Sequence, residues 1–160
     1  ITGFAIVAEG EIVFYDSVDL RKYKNLFEKT ERIKEALFNI FDNYQFCRED
    51  DHWMEIDQDN ENKINHIYIE QSLHMFMGGK SSAKTLSTLT RFNGIGIKVP
   101  RGQKAKQVVL QYLLDNEPAF KIEYTKHGNP KPESYDRADA IIVAKAGWAI
   151  EQSSSEEDTE

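Results

Sequence analysis

The sequence predicts an α/β domain, and three observations carry that expectation. Two short apolar runs flank Glu9-Gly10 near the start, a helical period takes over by residue 21, and a β-branched, aromatic run at 63–71 precedes further helical stretches. Strand-like and helix-like periods alternating along one chain describe a sheet covered by helices.

The 160 residues are enough for one compact domain, and the 11% aromatic content supports a packed core. We expect this domain to span residues 1–150, with an acidic insertion at about 47–63 and a disordered acidic tail at 151–160. No apolar run approaches the roughly 20 residues of a bilayer-spanning helix, and no signal peptide is visible, so no membrane partner is expected. Cys47 is the only cysteine and has no internal disulfide partner. A reducing, cytoplasmic setting is the simplest reading. The sequence opens at Ile1, inside an apolar run and without a methionine, so we expect part of the native N-terminus to be absent.

"ITGFAIVAEGEIVFYDSV" reads as strands 1–8 and 11–18 joined by a tight turn at Glu9-Gly10. From 21 to 44, Leu26, Ile33, Leu37, Ile40, Phe41 and Tyr44 recur at helical intervals with charges opposite, which predicts an amphipathic helix. Residues 47–62 are polar and acidic, a long loop in which His52, Asp57 and Asp59 are better read as solvated groups than as metal ligands. "KINHIYIEQ" predicts a buried central strand ending at Glu70.

A loop with two glycines follows, and Ser81 or Ser82 caps a predicted helix to about 92. Three glycines and a proline then break the chain before a shorter helix, 103–114, with Val109, Tyr112 and Leu113 on an apolar stripe. Residues 119–125 suggest a small strand, 126–134 a rigid polar loop, and the last helix is expected over 135–150.

The net charge of -7 conceals an uneven distribution. The tail carries Glu151, Glu156, Glu157, Asp158 and Glu160 with no base, and the 42–62 stretch is also strongly acidic. Between Lys80 and Lys131 the balance reverses, with only Asp115, Glu117 and Glu123 among ten lysines and arginines. A basic surface on an acidic protein remains open to a polyanionic partner.

Three acids stand out. Glu70 ends a run that favours burial, where a carboxylate costs free energy unless it reaches water, pairs with a lysine or binds a cation. Asp136 and Asp139 in "SYDRADAIIV" lie one turn apart on one helix face and repel each other. An ordinary helix start, with acids at the exposed amides and Arg137 and Lys145 nearby, accounts well for Asp136 and poorly for Asp139. Together the three acids suggest hard oxygen donors for Mg²⁺ or Mn²⁺.

The order of "ITGFAIV", "IYIEQSLHMFMGGKSS" and "YDRADAIIVAKAGWA" resembles RuvC-type Holliday junction resolvases, most of all the phage-encoded members. The resemblance covers nearly everything except the acidic insertion and the tail. It implies a ribonuclease H-like fold, a mixed five-stranded sheet flanked by helices with an acidic cluster at the sheet and a helix end. Glu70 matches the strand-borne glutamate of that family, Asp139 the acid within the final helix motif, and Asp136 the acid or histidine three residues earlier. The family's first aspartate would fall before Ile1. Family members also carry another strand and a basic loop where this chain has only about ten residues, near 93–103. Either an internal segment is absent or the sheet is short by one strand.

The resemblance implies metal-dependent phosphodiester hydrolysis in branched DNA, resolving four-way junctions, with two Mg²⁺ (or Mn²⁺) ions per site held by Glu70, Asp136, Asp139 and the earlier aspartate. Two divalent ions about 4 Å apart both activate a water and stabilise the leaving oxygen. Lys80, Lys84, Lys98, Arg101, Lys104 and Lys106 are the candidates for phosphate contacts, with a solvated basic face as the alternative for each. Phe76 and Met77 are candidates for stacking on or separating bases. The competing reading, in which Met75, Phe76 and Met77 are core or dimer contacts, stands slightly ahead. A two-fold homodimer suits the symmetric substrate, and Leu86, Leu89 and Phe92 share one helix side that serves either a dimer or the core. The alternatives are a related nuclease acting on flaps, forks or RNA–DNA hybrids, and a branched-DNA-binding module that does not cut. For a phage-encoded protein the setting is the host cytoplasm.

Overall fold

The computed structural model describes residues 1–46, 63–69 and 101–157 and shows a mixed α/β chain. Glu70, Phe76, Met77, Lys80, Lys84 and Lys98 lie outside the described residues, as do the helix expected at 81–92 and the acidic stretch 47–62. Among the described residues no helix is long and apolar enough to cross a membrane.

The chain starts as the expected hairpin, strands β1 (Thr2–Ala8) and β2 (Glu11–Val18) pairing in a two-stranded sheet. Glu9 and Gly10 both have positive φ, 52° and 80°, the conformation that a two-residue turn between right-twisted strands requires. Helix α1 (Leu26–Asn43) begins at the first residue of its apolar period, five residues later than the expected start at 21. Asn25 caps it, its side chain accepting from the Glu28 amide at 2.7 Å, while Asp19 turns the preceding chain by accepting from the Arg21 amide at 2.9 Å. Strands β3 (Gln45–Phe46) and β4 (Lys63–Ile64) pair in parallel, Gln45 opposite Lys63 and Phe46 opposite Ile64. Helix α2 (Ala105–Asn116) and the long helix α3 (Pro132–Glu157) complete the described elements.

Two compact units result, one of Ile1–Ser17 with Tyr68–Glu160, the other Val18–Ile67. The core of the first lies where α3 packs on β1 and on α2. Val109, Leu110 and Leu113 of α2, Phe120 just beyond it, and Ala138, Ile141 and Ile142 of α3 are buried, with Ala5, Ile12 and Tyr15 of the hairpin packed against them. Each large side chain so buried contributes about 1.5–3 kcal/mol. Tyr15 also fixes the segment after α2. Its ring meets Phe120 edge to face at 5.4 Å, and its hydroxyl accepts from the Lys121 amide at 3.0 Å. In the second unit the helical stripe of α1 is only half-buried at Ile33, Leu37, Ile40 and Phe41, and Leu26 and Phe27 stand exposed.

Four expectations need correction. The run 63–71 is not a buried central strand in its described part: the ladder ends at Ile64, and Ile67 and Ile69 are exposed. A β-branched run is buried only where neighbours pair both its edges and cover its faces, and β3 offers two residues. The stretch 119–125 forms a single bridge, Tyr124 with Pro130, instead of a strand. Its backbone closes on itself through Thr125 and Asn129 (2.8 Å) and through Lys131 and Glu123 (2.9 Å). The helix expected at 103–114 is shifted to Ala105–Asn116, and Leu110 joins its apolar face.

The last helix starts at Pro132 and runs to Glu157, seven residues into the tail expected to be disordered. Pro132 has the fixed φ that suits a first helical position. Once the buried stretch around Ile141 and Ile142 is anchored, each added residue gains a hydrogen bond at little further cost. The Ser153 hydroxyl in that extension donates back to the Ala149 carbonyl at 2.9 Å.

Candidate functional site

The two aspartates stand in the second and third turns of α3, where the helix passes β1. Gly3 makes that approach possible. A Cβ at Gly3 would lie 2.1 Å from the Asp136 carbonyl oxygen and 3.2 Å from the Ala140 Cβ. Further along, Gly10 faces the indole of Trp148, 3.5 Å from where its Cβ would stand. Strand and helix therefore run in the same direction, and the start of β1 lies at the acid-bearing end of α3.

Arg137 sets the rotation of this end of the helix. Its guanidinium donates from Nε to the Ser17 hydroxyl at 2.9 Å and from Nη2 to Asp16 at 3.3 Å, both at the end of β2. With Ala138, Ile141 and Ile142 turned into the core, Asp136 and Asp139 emerge on one partly sheltered side, 25% and 16% exposed.

Both carboxylates face the same cation. The Lys106 ammonium, in the first turn of α2, stands 3.6 Å from Asp136 Oδ1 and 3.4 Å from Asp139 Oδ2. Burial works to lower the lysine's pKa, but the charges of Asp139 and Asp136 outweigh it and the pKa is raised, so Lys106 is charged at neutral pH. The repulsion between two acids one turn apart is thus relieved by an ammonium from another helix.

The sequence offered Arg137 and Lys145 as the neighbouring cations, and the structure commits both elsewhere. Arg137 faces Asp16 and Ser17, and Lys145 pairs with Glu117 at the C-terminal end of α2 in a largely buried contact. Lys106 was expected on DNA phosphates, and its place between the acids was missed. The available signal was its register, three residues ahead of the buried Val109 at the start of α2.

Arg101 and Lys104 are exposed on the turn leading into α2, and Lys104 caps that helix without a side-chain bond. A second contact that sequence reasoning missed joins Tyr68 to α3. The ring lies against Gly147, and a Cβ there would fall 2.3 Å from Tyr68 Cδ2. The Tyr68 hydroxyl donates to the Glu151 carboxylate. Burial first, and then Glu151, push the phenol up to about 12.

The donor chemistry of Asp136 and Asp139 fits a hard divalent cation, because two carboxylates already converge on one positive charge. Among the described residues no group of three or more His, Cys, Asp or Glu side chains gathers in the manner of a metal site, and Glu70 lies outside them. No protein-family model, curated protein or solved structure matches the chain.

Proposed function

We propose that the chain is a metal-dependent, structure-selective endonuclease of the RuvC type with a ribonuclease H-like fold, cutting four-way DNA junctions as a homodimer. The observation that carries this reading is the convergence of Asp136 and Asp139 on a single cation at the sheltered start of α3. The direction of β1 supports it. Its start, at Gly3, lies against Asp136 at the acid-bearing end of α3.

In this reading Asp136, Asp139 and Glu70 hold the divalent ions. When bound, two Mg²⁺ or Mn²⁺ ions supply an activated water and stabilise the leaving oxygen. The chain's own part is to hold the carboxylates at fixed spacing and to seat the phosphate backbone. Helix α3 gives the spacing, locked by Arg137 on β2 and by the packing of Ile141 and Ile142. Arg101 and Lys104, with Lys80, Lys84 and Lys98, supply the phosphate contacts, and Phe76 and Met77 meet the unstacked bases.

A second reading, a branched-DNA-binding module that does not cut, draws support from Lys106, which offsets part of the charge of the two acids without any metal. Incubation of the protein with a synthetic four-way junction, linear duplex and flap DNA in Mg²⁺ separates these readings. The nuclease reading expects paired nicks in the junction, lost in Asp139→Asn and in Glu70→Gln. Cutting that survives both substitutions removes the proposed acidic site. Cleavage confined to flaps or hybrids points to the related nucleases, and junction binding without cleavage to the binding module.

A further inference from the structure

We propose that Lys106 is the resident counterion of the acidic site, holding Asp136 and Asp139 together in the metal-free protein and giving way when a divalent cation takes their oxygens. This rests on the metal reading above and adds to it a competitor built into the chain.

Three observations carry the inference. The ammonium is within ion-pair distance of both carboxylates, so it lies between the groups a metal would use. The other basic side chains on α3 near the site are committed, Arg137 to Asp16 and Ser17 and Lys145 to Glu117, so removal of Lys106 is not covered by either. Finally, the lysine can leave without disturbing the fold. Its side chain is 59% exposed and flexible, while α2 is anchored independently by Val109, Leu110 and Leu113.

A dication drawn to these two carboxylates meets the repulsion of an ammonium a few ångströms away, on top of its attraction to the acids. Metal binding therefore works against Lys106, and the work of moving the ammonium aside weakens the apparent metal affinity. Removing the charge makes opposite changes in the two states: the metal-free protein loses a cation shared by its acid pair, and the metal-bound protein loses a competitor.

The test titrates MnCl₂ into the protein by calorimetry and follows thermal unfolding with EDTA or with Mn²⁺. Site binding is taken as the part lost in Asp139→Asn, which separates it from Mn²⁺ on the acidic stretches. Lys106→Met is expected to bind Mn²⁺ roughly three- to tenfold more tightly, the scale of a partly exposed ion pair. Its unfolding midpoint in EDTA should fall by roughly 2–4 °C, with Mn²⁺ restoring it. Lys106→Arg, which keeps the charge, should remain near the wild type in both measurements, and Lys106→Gln repeats the test should the methionine variant fold poorly. Site binding that weakens or stays unchanged in Lys106→Met and Lys106→Gln overturns the competition while leaving the metal reading standing. Absence of site binding in the wild type and in both variants overturns the metal reading and the displacement with it.

Discussion

Gly3 and Asp136 meet backbone to backbone, with no room between them for a methyl group: a Cβ on the glycine would stand 2.1 Å from the aspartate's carbonyl oxygen. The strand and the acid-bearing helix are therefore in register only while residue 3 has no side chain. Gly3→Ala must push β1 away from α3, and the strain should cost about 1–3 kcal/mol, as overpacking does elsewhere. Urea denaturation measures it. Stability equal to the wild type would show that the helix start is not held by β1.

Glu117, at the C-terminal end of α2, pairs with Lys145, midway along α3, and the two side chains are only 14% and 16% exposed. Lys145→Met strands a carboxylate in that setting and should cost about 2–3 kcal/mol, toward the lower end for a buried pair broken on one side. The double variant Lys145→Met with Glu117→Met should recover most of that loss, since neither charge is then left unpaired. A double-mutant cycle by chemical denaturation decides the point.

Tyr68 gives the protein an alkaline limit. Burial, then the Glu151 carboxylate, raise its phenol from the ordinary 10.0 to about 12. Because the folded value is the higher one, the unfolded chain loses its proton first as the pH rises. The contribution is whole below about pH 10 and is lost as the pH climbs through about 12. Tyr68→Phe should abolish this component, so the stability gap between the two proteins should hold steady up to about pH 10 and narrow above it. Gly147→Ala, which displaces the ring, should bring the Tyr68 titration back toward the ordinary value. Urea midpoints across the alkaline range and ultraviolet titration follow the two effects.

Under the proposed nuclease reading, Arg101 and Lys104, exposed on the turn leading into α2, are phosphate contacts. Lys104→Gln is expected to weaken binding to junctions of any sequence alike and to reduce the slope of log affinity against log salt by about 1. Arg101→Gln should do the same. Measurements in Ca²⁺ at several salt concentrations provide the slope, and an unchanged slope removes the residue from the DNA interface.

The readable parts of the fold were those whose cause is local. Glu9-Gly10 marks a turn because the second residue tolerates positive φ, and the recurrence from Ile33 to Tyr44 marks α1 because 3.6 residues close a turn. The acid pair was equally visible, since Asp136 and Asp139 share a face of any helix they occupy. "KINHIYIEQ" misled because its apolar, β-branched run satisfies a strand pattern, whereas burial requires partners from elsewhere. Among the described residues Tyr68 turns instead to Gly147 and Glu151, some eighty positions further along.

The sequence alone therefore determined the hairpin, the helical runs and the presence of two like charges one turn apart, because backbone geometry and side-chain period act over a few residues. Only the tertiary structure decided which cation answers those charges. Arg137 and Lys145, near in sequence, are drawn to Asp16 and Glu117, and the neutralising ammonium comes from Lys106, some thirty positions away. Coulombic partners are chosen by distance through space, and that distance is fixed by how α2 and α3 pack around Val109, Leu113 and Ile141.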